Sequence, residues 1–108
     1  MLDENFQEGF EALRGNFALK LQDKLADLIS FEKKLEETNY KLEVLQELYQ
    51  IIHSISGSSG MFGFSEISEA AHKLEEVLKT VIKGNIIIEP KIINQIKMLL
   101  SGLKKEMG

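Results

Sequence analysis

The 108-residue chain has no cysteine, no tryptophan, two histidines and a single proline, Pro90. Without thiols there is no disulfide framework, no Cys-based metal site and no cysteine nucleophile. The one β-branched run, "NIIIE" at 85–89, leaves little from which to build strands. No stretch approaches the roughly 18 apolar residues of a membrane span, and "MLDENFQEGF" has acidic residues where a secretory signal needs positive ones. A cytoplasmic address with no membrane partner is the expectation. A formal charge of -4 gives no electrostatic basis for binding nucleic acid.

The chain is otherwise rich in helical spacing. Its length and 44% hydrophobic content suit one domain, residues 1–108, around one core. Asp3 and Glu4 suit a helix N-terminus, followed by Phe6, Phe10 and Leu13 at helical intervals. Gly15-Asn16 predicts a break or kink that ends a short first helix. Phe17, Leu21, Leu25, Leu28 and Leu35 mark a longer helix, and "EETN" at 36–39 a turn. A further helix begins near Tyr40. Phe64 and Ser65 read as an N′ residue and N-cap, leading into a stripe of Ile67, Ala70, Ala71, Leu74, Val77, Leu78 and Val81. Lys83-Gly84-Asn85 predicts a stop closed by a left-handed glycine, and Pro90 the first turn of a last helix buried through Ile92, Ile93, Ile96, Leu99, Leu100 and Leu103. The expected fold is all-α: an antiparallel four-helix bundle with a short additional N-terminal helix.

The segment "HSISGSSGMFG", residues 53–63, has the composition of a linker. At about 100° per residue, however, Leu45, Leu48, Ile52, Ile55, Ser59 and Phe62 form one unbroken stripe through it. The segment is therefore read as helix, with His53 pointing away from the core. Gly57, Gly60 and Ser56 lie around His53, and Gln46 and Gln50 come from the preceding turns. Glycine costs about 0.8–1.0 kcal/mol relative to alanine in a helix, so these glycines need a reason. Gly57 and Gly60 would clear the ground for a partner reaching the ring, while Ser59 and Gly63 would allow close packing on the inner side. The sequence shows no carboxylate cluster beside His53.

"HSISGSSGMFGFSEISEAAHKLE", 53–75, resembles the signature of histidine-containing phosphotransfer domains. The likeness rests on a histidine, glycine four residues on, a Ser-Ser pair, Phe-Gly nine and ten residues after the histidine, and an Ala-Ala-His-x-Leu-Glu run. It covers about a fifth of the chain. The resemblance implies that His53 is a phosphoacceptor, taking phosphate from a receiver-domain aspartyl phosphate and passing it to another receiver. It also implies a carrier rather than an enzyme, with no bound cofactor and with Mg²⁺ and the acceptor aspartate on the receiver. Response-regulator receivers, and a hybrid sensor histidine kinase, are the implied partners of a monomeric domain. Gln46, Gln50, Ser56, Gly57, Gly60 and Phe64 would form the docking face. Family members commonly have lysine three residues after the histidine, whereas this chain has Ser56, which supplies a hydrogen bond but no charge.

The second histidine, His72, borders the stripe of Ala70, Ala71 and Leu74 and is expected to play a structural part at the core boundary. Neither histidine has a second histidine or cysteine at ligand spacing, so no metal site is expected. The alternative to phosphotransfer is a helical docking or dimerisation module, with Met61 and Phe64 exposed near the histidine face.

Overall fold

The computed structural model describes residues 4–84 and 87–108, with side chains of the first helix from residue 6 onward. Four helices follow in order: α1 Glu4–Glu37, α2 Leu42–Met61, α3 Ser65–Lys83 and α4 Pro90–Met107. Short connections turn each helix back along its predecessor, and α1 packs on α2 and α4 while α3 packs between α2 and α4. Among the described residues there is no strand, and no helix is long and apolar enough to cross a membrane.

The core is a layer of leucine and isoleucine contributed by all four helices. Leu28, Leu35, Leu45, Leu48, Ile52, Ile55, Leu74, Leu78, Ile96 and Leu103 are fully enclosed. Each lies on the stripe that helical periodicity assigns, so the hydrophobic spacing in the sequence decides which face turns inward.

One expected element is absent. The separate short N-terminal helix does not form, because α1 runs unbroken through Gly15-Asn16. A lone glycine costs only about 1 kcal/mol in a helix, and here it lies just ahead of Phe17, where the helix begins to pack on the core. Phe6, Phe10 and Leu13, which repeat at helical intervals, are exposed. At 1.5 Å per residue the 34 residues of α1 span about 51 Å, against about 30 Å for α2, so its N-terminal end, ahead of Arg14 and Phe17, overhangs the bundle.

The turns set the register of the helices. At the end of α1, Tyr40 N–H donates to Leu35 O at 2.8 Å and Asn39 N–H to Glu36 O at 3.1 Å. Asn39 is left-handed with φ 54°, which completes a Schellman closure. Tyr40 follows with φ 56° and is held by burial and by its hydroxyl donating to Glu36 Oε1 at 3.1 Å. The same closure ends α2, with Phe64 N–H donating to Ser59 O and Gly63 N–H to Gly60 O. Gly63 has φ +81°, a conformation costly for any side chain, so its role is this turn rather than the inner packing expected of it.

Two smaller expectations also change, and a third holds. Phe64 rather than Ser65 occupies the N-cap position of α3, without a side-chain cap. Gly84 closes α3 with φ -78°, in the right-handed region rather than the left-handed one, and Asn85 lies outside the described residues. Pro90 is at the start of α4, as its fixed φ favours.

Candidate functional site

The glycine- and serine-rich segment is helix. Residues 53–61 continue α2 without interruption, and its buried face is Val44, Leu45, Leu48, Ile52, Ile55 and Ser59. Phe62 caps the helix half-buried, stacked on Phe17 with ring centroids 5.2 Å apart. His53 therefore points outward, with its side chain 63% exposed.

The imidazole is nevertheless held. Glu75, from α3, places Oε1 2.5 Å from His53 Nδ1. This carboxylate is only 11% exposed. It belongs to the buried row Ala71, Leu74, Glu75, Leu78, a set of positions that faces the core. An ionised carboxylate accepts hydrogen bonds only, so the neutral imidazole carries its proton on Nδ1 and its lone pair on Nε2. The outward nitrogen is thus the nucleophilic one. Tyr49, one turn earlier on α2, stacks on the imidazole with centroids 5.8 Å apart and planes 14° from parallel.

Sequence spacing alone puts no carboxylate beside His53, yet Glu75 of α3 meets its ring. A signal was available, because Glu75 falls at a stripe position between Leu74 and Leu78. Its meeting with a histidine 22 residues earlier depends on how α3 docks against α2. Tyr49 was also passed over, although an aromatic four residues before a histidine shares its helix face.

His72 is not at the core boundary. Its side chain is 63% exposed, as much as that of His53, and exposure alone does not separate the two. Their surroundings do. His72 Nδ1 lies 3.8 Å from Glu75 Oε2 and Nε2 lies 3.9 Å from Glu76 Oε1, so both its nitrogens face carboxylates. An incoming phosphoryl group would meet negative charge on either side of that ring.

The residues expected to surround His53 divide. Gln46, Gln50 and Gly57 are exposed on α2, and a Cβ added at Gly57 would meet nothing within 4 Å. Gly60 is exposed too, but a Cβ there would lie 3.2 Å from Ser68 Oγ, so this glycine admits α3 rather than clearing the histidine face. Ser56 is half-buried, and its carbonyl accepts the Ser68 hydroxyl at 3.1 Å. Phe64 is not exposed as expected. It packs against Phe17 at 5.7 Å beneath the Arg14 guanidinium, which sits 4.5 Å above its ring. Met61 is 66% exposed.

Among the described residues no group of three or more His, Asp or Glu side chains converges to hold a metal ion. Surface hollows of about 280 and 350 Å³ open beside α4, one lined by Ala70, Lys73 and Leu99 and the other by Val77, Val81 and Ile92, away from His53. The imidazole stands exposed on the outer face of α2.

An all-α bundle that presents one braced, outward imidazole has the architecture of a histidine carrier. The family model for the Hpt domain matches residues 12–106, and the chain belongs to that family, whose members are phosphotransfer carriers in two-component signalling. It is similar to the sensor histidine kinase CheAY of Helicobacter pylori, 31% identical over 68 residues that make up 63% of this chain and 8% of that protein. It resembles the chemotaxis protein CheA of Salmonella typhimurium at 31% over 70 residues, 65% of this chain and 10% of the relative. A stretch of 68 residues, 63% of the chain, is 34% identical to 18% of a putative zinc finger protein of Caenorhabditis elegans. This chain has no cysteine with which to build a Cys-based finger. The chain thus spans about a tenth of the length of the kinase and chemotaxis relatives.

Proposed function

We propose that His53 Nε2 is the phosphoacceptor, taking a phosphoryl group from a receiver-domain aspartyl phosphate and passing it to another receiver. The observation that carries this reading is the 2.5 Å contact between His53 Nδ1 and the buried Glu75, which leaves Nε2 as the free outward nitrogen. In the forward step the Nε2 lone pair forms an N–P bond as the P–O bond to the aspartyl carboxylate breaks, and that carboxylate leaves with the bonding pair. The ring, still protonated at Nδ1, becomes cationic as the bond forms. Glu75 offsets that charge, in the way a carboxylate supports the imidazolium of a hydrolase triad. The reverse sequence returns the phosphoryl group to a second aspartate.

Phosphoryl transfer otherwise requires positioning and cations around the group. Ser56 provides no charge, so Mg²⁺ and the cationic side chains belong to the receiver. Gln46, Gln50 and Gly57 form the surface that the receiver meets, with Ser56 at its edge. Gly60 and Phe64 support it from within the fold. A histidine kinase is the second donor, a reading favoured by the similarity to a protein named as a sensor histidine kinase.

Incubation with a phosphorylated receiver and Mg²⁺, or with a histidine kinase and ATP, tests both readings. Acid-labile label is expected on wild type and His72→Gln and absent from His53→Gln. Label retained by His53→Gln would overturn the assignment. A folded wild type that binds receivers yet takes label from neither donor would indicate a docking module.

A further inference from the structure

His53 has two fixed neighbours, and the proposed transfer step uses only one of them. Glu75 holds Nδ1, but one hydrogen bond to one ring atom lets an exposed imidazole swing about that contact. The second neighbour is the Tyr49 ring, 5.8 Å from the imidazole centroid and 14° from parallel. That is the offset-stacked arrangement aromatic faces prefer. Helical side chains lean toward the N-terminus and cover the turn before their own, so His53 lies over Tyr49 by helix geometry. Tyr49 is itself half-buried and packed against the core, and therefore gives the imidazole a supported wall.

We infer that Tyr49 is a positioning residue for the phosphoacceptor. Its ring fixes the imidazole plane while Glu75 fixes the nitrogen, and together they hold Nε2 on the line along which a phosphoryl group arrives. The inference rests on His53 being the acceptor. Tyr49 touches neither donor nor phosphoryl group and acts through the imidazole. In-line transfer depends on near-attack geometry, and a misplacement of about 1 Å can cost on the order of a hundredfold in rate.

The test compares wild type with Tyr49→Phe, which keeps the flat ring, and Tyr49→Leu, which keeps apolar packing without it. Transfer from a phosphorylated receiver is followed across receiver concentrations. Tyr49→Phe should match wild type, whereas Tyr49→Leu should lose about ten- to a hundredfold in kcat with KM little changed. Proton and nitrogen NMR of the His53 ring supplies a readout independent of any partner. The downfield Nδ1 proton shared with Glu75 should be sharp in wild type and Tyr49→Phe and broadened in Tyr49→Leu. An unchanged kcat and an unchanged ring signal in a folded Tyr49→Leu would overturn the inference, as would a loss confined to KM. A wild type that accepts phosphate on His72 instead would defeat the acceptor assignment, and with it the role of Tyr49, while the ring signal would still show whether Tyr49 orders the imidazole.

Discussion

A carboxylate buried beside an exposed imidazole is the feature that separates His53 from an ordinary surface histidine. Glu75 is largely desolvated at a position where periodicity calls for an apolar side chain, and burial of a charge is costly unless it is paired and hydrogen-bonded. Its partner is His53, so the cost is met by the same contact that orients the ring. Replacing Glu75 with glutamine keeps a hydrogen-bonding group but removes the charge that supports the cationic ring, and the rate of phosphoryl transfer to His53 should fall by at least about tenfold. Label accumulation from a phosphorylated receiver measures this; an unaltered rate would assign Glu75 to packing alone. Sequence pattern located His53 and its outward direction, because both follow from one helix. It missed Glu75 because that contact joins two helices, and it misplaced His72 because a residue flanking a stripe can turn toward solvent as readily as toward the core.

Within α2 the two glycines differ in what they do. Gly57 faces open space, so Gly57→Ala should raise stability by up to about 1 kcal/mol, a Tm increase of roughly 4–8 °C in a domain of this size. Thermal unfolding checks it, and a fall in Tm would contradict the open surroundings. A larger Gly57→Leu side chain should leave the fold intact and slow transfer by obstructing the receiver. Gly60→Ala should gain less or nothing, since the new methyl presses on Ser68 Oγ and on its bond to the Ser56 carbonyl. The α1–α2 turn carries a different signature. Burial, reinforced by the bond to Glu36, pushes the Tyr40 hydroxyl up to about 12 from its ordinary 10. Lys97 and Tyr40 in turn hold Glu36 below the usual carboxylate range. A raised folded-state value means that Tyr40 contributes full stability below pH 10 and loses it between about pH 10 and 12, because the unfolded chain ionises first. Denaturant midpoints across that window should fall more steeply for wild type than for Tyr40→Phe. The turn itself was legible from "EETN", and the continuity of α2 from its stripe. The continuity of α1 was not, because Gly15-Asn16 is a weak stop that the packing of Phe17 overrides.

At the scale of the molecule, the four stripes specify the bundle and the overhang of α1 lies outside it. Phe6, Gly9 and Leu13 are exposed, and Phe10 touches the bundle through its ring contact with Phe62 at 5.8 Å. A chain beginning at Ala12 should therefore fold with a loss of about 0.5–1.5 kcal/mol and transfer phosphate at the wild-type rate. Calorimetry and label transfer on the shortened chain check both statements. The bundle fold was read from sequence because each helix keeps its apolar period; how far α1 extends beyond its neighbours was not, since Phe6, Phe10 and Leu13 have the same helical spacing as core residues yet are exposed. The meeting of exposed His53 with buried Glu75 likewise emerges only from the assembled bundle.

The most direct measurement is the position of the phosphoryl group itself, read by phosphorus and nitrogen NMR on the labelled protein. A single phosphohistidine is expected, on Nε2 of His53, with Nδ1 still protonated toward Glu75. Phosphate on Nδ1 of His53, or on His72, would contradict it.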